Sequence, residues 1–267
     1  MCSREESETM RFFNMVGHVG LCILSVIRTS GAVVCFFFKC STKGLLPPVY
    51  FRQIFKQAID IGLMSVAIIS FTALFTGMVL ALQTYTAFSR FGGDQSVADV
   101  VALSIVRELG PVLSGLMISG RIGSSIAAEI ATMRVTEQID ALHTLSTDPI
   151  KYLVFPRIFC GVTLMPFLTV IADVIGISGG CAVSVYKFHS EATSYIGETF
   201  QTVALSDITA GIIKSVCFGL IVTLMGCYHG YNASKGARGV GTATTNSVVS
   251  SSILILIFNY VLTAILF

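Results

Sequence analysis

Four charged residues stand inside long apolar stretches of this chain and are its best candidates for chemistry. Arg107 and Glu108 are neighbours in one stretch, Asp173 lies in a second and Lys214 in a third. Placing a charge in hydrocarbon costs at least about 2.5 kcal/mol on insertion scales, so such residues usually pair or serve a function. Their types predict ion pairing, a polar pathway or proton transfer within a membrane.

The depths of Glu108 and Lys214 make a pair between them feasible. Glu108 lies about eleven residues, or about 16 Å, from the start of its apolar helix. Lys214 lies about seven residues, or about 10 Å, into another helix, and a lysine side chain can bridge this difference. The pair would either hold two helices together or form a polar feature of a binding cavity. Asp173 is expected to pair with Arg107 or to mark a point where its helix contacts water.

Motifs for catalysis and nucleotide binding do not occur in a suitable context. The stretch from Gly115 to Ile122 has two glycines at P-loop spacing but lacks the Lys and the Ser/Thr, and it continues an apolar helix. No G-x-S-x-G or H-E-x-x-H motif has the right surroundings, and the eight cysteines form no C-x-x-C pair. We therefore predict that this chain is not an enzyme and binds no metal or cofactor. With a net charge of +2 and no basic stripe, we expect no nucleic-acid partner.

Composition indicates a protein with several membrane spans. The chain has 54% hydrophobic and 12% charged residues, against roughly 25% charged residues in soluble domains. A soluble protein with a large core would need more charge to cover its surface. We predict an all-α membrane protein with five transmembrane helices, at about residues 58–85, 97–119, 153–186, 208–228 and 247–267.

The first 57 residues are predicted to lie in the cytoplasm, ahead of a transmembrane domain at residues 58–267. Residues 12–38 are apolar but are interrupted by His18 and Arg28, so their uncharged runs are too short to cross about 30 Å of hydrocarbon. We expect a helix that lies in the membrane interface; a poor first transmembrane helix is the alternative. Residues 39–56 are expected to form a basic connector.

The distribution of Lys and Arg predicts the orientation of the chain. With a cytoplasmic N-terminus, thirteen Lys or Arg residues fall in cytoplasmic segments, and only Arg90 and Lys187 fall in outer loops. Because positive charge favours the cytoplasmic side, we expect a cytoplasmic N-terminus and a C-terminus on the outer side. Segments 187–207 and 229–246 are expected to be polar loops.

Small residues and a short amphipathic helix mark the region around the cytoplasmic segment 120–150. Small residues every four positions let helices approach closely in a membrane, and here they form two series: Gly115, Ser119, Gly123, Ala127 and Ala131, then Ala172, Gly176, Gly180 and Ser184. Further along, Val135, Ile139 and Leu142 fall on one face of a short helix. Thr136 is a plausible N-cap for that helix.

Three blocks of sequence carry a resemblance to a known family. They are RELGP at 107–111, GRIGSSIAAEIATMRVTEQIDAL at 120–142 and DPIKYLVFPR at 148–157. These blocks resemble the signature of the MlaE family, the membrane permease subunit of bacterial lipid ABC transporters. The long central block is specific to that family, and the similarity extends over residues 12–267.

The resemblance implies a homodimer in the bacterial inner membrane with a cavity for phospholipid. A cytoplasmic ABC ATPase, holding ATP and Mg, would drive it together with a STAS-domain protein. An MCE-domain protein on the outer face would exchange lipid with the cavity. The implied lipid-pathway residues are Arg107, Glu108, Asp173 and Lys214. The implied coupling helix that docks on the ATPase carries Glu137, Gln138 and Asp140 and is flanked by the further coupling candidates Glu129 and Arg134.

Two other classes of function compete with this interpretation. One is an ion-coupled secondary carrier that uses Glu108, Asp173 and Lys214 as a proton relay, and the other is a membrane scaffold that transports nothing. For the coupling segment, the simpler alternative is a solvated cytoplasmic loop. An ATPase retained in mild detergent would favour the ABC interpretation, whereas transport driven by a pH gradient alone would favour the carrier.

Overall fold

The computed structural model describes residues 20, 24, 27–42, 51–89, 97–189 and 191–266, and the regular structure in these residues is helical. Residues 27–42 form α1. The chain continues with α2 (Phe51–Ile61), α3 (Leu63–Ser89), α4 (Val97–Val135), α5 (Gln138–Thr144), α6 (Ile150–Phe188), α7 (Ala192–Thr202), α8 (Leu205–Tyr231) and α9 (Ala237–Leu266).

Five helical stretches are long and apolar enough to cross a membrane: α2 with α3, α4, α6, α8 and α9. This finding confirms the predicted all-α class and the five spans. The placement of α1 in the membrane interface stays a prediction, and residues 12–19, 21–23, 25 and 26 of the predicted interfacial helix lie outside the described residues.

Several helices run further than the sequence predicted. The second does not stop at residue 119 but continues to Val135, and the last begins at Ala237 rather than at residue 247. The predicted loop 187–207 contains α7, and the predicted connector 39–56 gives way to α2. At the start of α9, the hydroxyls of Thr242, Thr244 and Thr245 donate to carbonyls about one turn earlier. Polar side chains that suggested a loop are therefore satisfied inside the helix.

Glycines bring α3 and α6 into direct backbone contact. A Cβ atom built on Gly77 would lie 1.9 Å from the carbonyl oxygen of Gly176, and one on Gly179 would lie 2.5 Å from that of Leu74. One turn after Gly176, Gly180 faces the hydroxyl of Tyr195 on α7. A Cβ atom built on Gly180 would lie 2.8 Å from that hydroxyl oxygen. Such close approach of backbones is how membrane helices gain packing energy without a hydrophobic driving force.

The contact between α3 and α6 gives the first prediction. Gly77→Ala should lower the stability of the protein by at least about 1–3 kcal/mol, because backbone atoms opposite the new methyl group cannot move aside as a side chain would. The matched control is Gly241→Ala, since no atom lies within 4 Å of a Cβ there. Thermal unfolding in detergent measures both, and equal unfolding temperatures for the two variants would contradict the close packing.

The first series of small residues packs α4 against α8 and α9. Gly115 faces Phe218 and Ile255, and Gly123 faces Val222. A Cβ on Gly230 would lie 2.9 Å from the carbonyl oxygen of Ala127, so α8 stays close to α4 along its length. The Ser119 hydroxyl lies 2.6 Å from that of Ser251 on α9. This packing sets the face of α4 that bears Glu108 towards α8 and α9.

Helix α4 is widened at two places by π turns, at Ile105–Leu109 and Ser119–Gly123, and a third π turn, Ile150–Val154, opens α6. A π turn adds one residue to a helical turn and often occurs at functional sites. The first of these turns contains Arg107 and Glu108.

Candidate functional site

A group of polar side chains lies where α4, α8 and α9 meet, towards the end of these helices that adjoins α7. We call this group the outer polar cluster, and its members are Arg107, Glu108, Asp207, Lys214, Asn259 and Thr263. It draws two of its members from each of the three helices, so it forms only when all three are packed.

Lys214 is the centre of the cluster. Its side chain is 0% exposed, and its ammonium group donates to Glu108 Oε1 at 2.7 Å, to the Arg107 carbonyl oxygen at 2.8 Å and to Thr263 Oγ1 at 2.8 Å. An ammonium group has three donors, so all three are used. A fully buried charge is tolerated only with this degree of pairing and hydrogen bonding.

A proline explains why the Arg107 carbonyl can accept from Lys214. In an α-helix this oxygen would accept the N–H of the residue four positions later, which is Pro111. Proline has no N–H, so the oxygen has no intrahelical α-type partner. The side chain of Lys214 takes that place. The RELGP block thus contains both the carboxylate and the carbonyl oxygen that accept hydrogen bonds from the buried lysine.

Glu108 accepts hydrogen bonds on both carboxylate oxygens. Lys214 and Thr263 donate to Oε1, at 2.7 and 2.9 Å, and Asn259 Nδ2 donates to Oε2 at 2.9 Å. The Glu108 side chain nevertheless keeps 36% of its surface exposed. The carboxylate is therefore fixed in position, while part of the Glu108 side chain stays exposed.

Arg107 pairs with Asp207, not with Asp173, so that part of the sequence prediction is wrong. Its guanidinium nitrogens Nε and Nη2 lie 2.8 and 2.7 Å from Asp207 Oδ1. Asp207 is 1% exposed, and its other oxygen accepts the backbone N–H of Ala204 at the start of α8. Asp207 was not among the predicted residues, because it lay in what the sequence suggested was a polar loop.

Asp173 lies apart from the ion pairs. Its Oδ1 is buried and has no hydrogen-bond partner in the described part of the chain. It is pressed against Gly110, where an added Cβ would lie 1.7 Å from this oxygen. No hydrogen bond connects Asp173 with Glu108 or Lys214 among the described residues, so a continuous relay through these three is not formed.

Removing a charge should affect protein stability differently at the Arg107–Asp207 ion pair and at Asp173. Arg107→Gln leaves the buried Asp207 carboxylate without its cation, which should cost about 1–3 kcal/mol or more. Asp173→Asn removes no ion pair and nearly keeps the size of the side chain, so it should cost less stability than Arg107→Gln does. Thermal unfolding of both variants tests this. A large loss for Asp173→Asn together with none for Arg107→Gln would reverse the assignment.

The predicted coupling segment forms a short helix at the opposite end of the molecule. Helix α5 begins at Gln138 and follows Glu137, whose φ of 60° places it in the left-handed region, so Thr136 is not the N-cap that the sequence predicted. Ile139 is 0% exposed and belongs to the main core, whereas Glu137, Gln138 and Asp140 are exposed. The helix is thus anchored by Ile139, with Leu142 partly buried against the same core, and presents polar groups to the outside.

Three of the coupling candidates, Glu129, Arg134 and Asp140, form ion pairs within the chain. Arg134 lies 2.8 Å from Asp140, which ties the end of α4 to α5. Glu129 lies 2.8 Å from Arg157 on α6, and Arg157 is 4% exposed and also donates to the Leu153 carbonyl oxygen. Glu129 therefore joins α4 to α6, a role that the sequence did not reveal. Glu137 and Gln138 have no such ion pair in the described residues.

Asn259 and Thr263 were missed because each looked like an ordinary polar residue in an apolar helix. Their spacing of four was the available signal, since it places both on one face of α9. No group of three or more His, Cys, Asp or Glu side chains gathers at a metal-binding distance in the described part of the chain.

Comparison with known proteins gives consistent matches. The family model described as Permease MlaE matches residues 54–265. A probable ABC transporter permease protein of Rickettsia typhi is 50% identical over 95% of this chain and 98% of its own length. The intermembrane phospholipid transport system permease protein MlaE of Haemophilus influenzae is 35% identical over 95% of this chain and 98% of its own. A probable ABC transporter permease protein of Synechocystis is 40% identical over 81% of this chain and 82% of its own length.

Proposed function

Since the chain belongs to the MlaE permease family, we propose that it moves phospholipid between the bacterial inner membrane and an MCE-domain protein on the outer side. It does so as the permease subunit of an ABC transporter, with a separate cytoplasmic ATPase supplying the energy and a STAS-domain protein accompanying that ATPase. Two copies of the chain form the lipid cavity. The similarity to the phospholipid transport permease of Haemophilus influenzae supports the choice of cargo.

The outer polar cluster is the observation that carries this proposal. Arg107 and Glu108 keep 39% and 36% of their side chains exposed while their other faces are held by buried partners. A phospholipid head group bears a phosphate and often an amine, which a fixed guanidinium and a fixed carboxylate complement. Holding both charges rigidly also lowers the entropy lost when the head group binds.

Helix α5 supports the assignment of an ATPase partner. Its exposed acidic and amide side chains project from a helix that Ile139 fixes to the core. A polar helix of this kind suits the rim of a protein–protein interface, where charges set encounter and register. A movement of α5 driven by ATP hydrolysis in the partner would then be transmitted to α4 through the Arg134–Asp140 ion pair.

We expect the N-terminus in the cytoplasm and the C-terminus on the outer side, as the Lys and Arg distribution favours. A reporter enzyme that works only outside the cytoplasm, fused after Phe267, should therefore be active. The same reporter fused in the Gly236 turn between α8 and α9 should be inactive and serves as the control. Reporter activity at Gly236 but not after Phe267 would show the opposite topology, with the coupling helix outside the cytoplasm.

Purification from the native membrane in mild detergent tests the subunit composition. We expect a tagged chain to retain an ABC ATPase and an MCE-domain protein, in a complex with two copies of the permease. Recovery of the chain alone, with phospholipid transport driven by a pH gradient, would instead support the ion-coupled carrier. That carrier has less structural support, because Asp173 is not connected with Glu108 and Lys214 in the described residues.

A further inference from the structure

A cavity lies beside the outer polar cluster, between α6 and α7. It has a volume of about 460 Å³, within the roughly 300–1,000 Å³ that ligand pockets span. Helix α6 forms one wall and α7 the other, with Val106 of α4 and Ile208 of α8 completing the lining. We call it the outer crevice. Helix α9, which supplies Asn259 and Thr263 to the cluster, contributes nothing to its lining.

The outer crevice opens towards the surroundings of the protein. Val174 and Phe200 on its two walls are 63% and 81% exposed. The wall on α6 extends from Val170 to Cys181, in the half of this spanning helix that adjoins α7. Since α6 crosses the membrane, what adjoins this opening is the hydrocarbon of one bilayer leaflet.

The lining is almost entirely apolar. Its two most polar members, Asp173 and Tyr195, each have a buried oxygen without a hydrogen-bond partner in the described residues, and Tyr195 as a whole is 4% exposed. The Tyr195 hydroxyl is packed against Gly180. The surface offered to an occupant therefore suits hydrocarbon better than a head group or water.

The dimensions of the crevice select one kind of occupant. The wall from Val170 to Cys181 is about 16 Å long at about 1.5 Å per residue. The volume of about 460 Å³ is the space open to the centres of water-sized molecules, so over that length it corresponds to a slot about 9 Å across once a water radius of about 1.4 Å is added on each side, whereas a helix with its side chains is about 10–12 Å in diameter. A single alkyl chain fits in such a slot, and a partner helix does not.

We propose that the outer crevice binds one acyl chain of a phospholipid from the leaflet adjoining α7, while the second chain stays in the surrounding bilayer. This is a lipid site separate from the outer polar cluster, and it does not depend on the direction of transport or on the ATPase. The site would hold a lipid at the side of the permease, next to Val106, one residue from Arg107.

Photo-crosslinking in detergent tests the proposal. The probe is a phosphatidylcholine with a photoreactive group in one acyl chain, added to the complex as purified at a low ratio of lipid to protein. We expect about one lipid per chain, attached within the α6 and α7 residues that line the crevice. Val174→Trp should fill the crevice and reduce this labelling at least about tenfold, a loss that corresponds to about 1.4 kcal/mol of binding free energy. The chain contains no tryptophan, so fluorescence also reports whether the new ring is buried.

Phe167→Trp is the matched control, because Phe167 is an exposed residue of the same helix that does not line the crevice. It should label as the wild type does. If Val174→Trp fails to accumulate, Ile177→Trp fills the same space from inside the wall. Unchanged labelling in a folded, crevice-filled variant would overturn the proposal. Labelling spread over the exposed faces of α3 and α9, or a crosslink from the crevice to another polypeptide, would overturn it as well.

Discussion

Lys214→Met is expected to destabilise the protein by about 3–5 kcal/mol and to abolish phospholipid transport. Methionine has nearly the length of lysine but no charge, so the packing of α8 changes little. The substitution leaves the Glu108 carboxylate without its cation and removes the hydrogen bond that Lys214 donates to the Arg107 carbonyl oxygen. The measurements are thermal unfolding in detergent and lipid transfer in reconstituted membranes.

A double variant separates the stability of the cluster from its part in transport. Glu108→Gln combined with Lys214→Met removes both charges, so stability should recover by at least half, since replacing a whole buried pair is often close to neutral. Transport should stay absent, because the head-group carboxylate contact is gone. Thr263→Val removes one hydrogen bond of the cluster and should cost only about 0.5–1.5 kcal/mol. Wild-type stability and transport in Lys214→Met would show that the cluster is not needed for either.

Reversing two exposed acids on the coupling segment is expected to release the ATPase or to uncouple its hydrolysis from transport. Glu137→Lys with Asp140→Lys turns an acidic surface basic and places a lysine beside Arg134, which now pairs with Asp140. Loss of a paired interface charge costs about 2–5 kcal/mol when the pair is buried in the complex. Membrane insertion should survive, because both side chains are exposed. Co-purification of the ATPase and lipid-stimulated hydrolysis measure the effect.

Two comparisons make this test specific. Glu191→Lys with Glu198→Lys introduces the same change of charge at the α7 end of the molecule and should leave ATPase binding unchanged. Ile139→Asp places a charge in the main core and should instead lower the yield of folded protein. Full ATPase binding and full coupling in the double reversal would remove α5 from the interface.

The sequence predicted the spans well but the ends of the helices poorly. Long uncharged runs predict that a segment crosses the membrane as a helix, because a helix satisfies its own backbone hydrogen bonds in hydrocarbon. Where α4 stops depends on contacts that only the fold supplies, such as the approach of Gly230 to Ala127. The start of α9 was missed for a related reason, since the threonines there are satisfied by carbonyls of the same helix.

For the candidate site, the sequence predicted how deep the charged residues lie along their helices but not which way their side chains face. Glu108 and Lys214 were expected at comparable depths, and their charged atoms lie 2.7 Å apart. The partner of Arg107 depended on which face of each helix turns inwards, and a π turn at Ile105–Leu109 shifts that face within α4. Asp207 could not be recognised as the partner, because its position follows from how α7 returns the chain to the start of α8.

The most direct test of the central claim is phospholipid movement by the purified complex in liposomes. We expect a labelled phospholipid to pass between the bilayer and the MCE-domain protein when ATP is hydrolysed, and not when a non-hydrolysable analogue replaces ATP. Lys214→Met should remove this movement, and Gly241→Ala, where no atom lies within 4 Å of the added Cβ, should keep it. Movement that continues without ATP hydrolysis and stops when a pH gradient is collapsed would contradict the account.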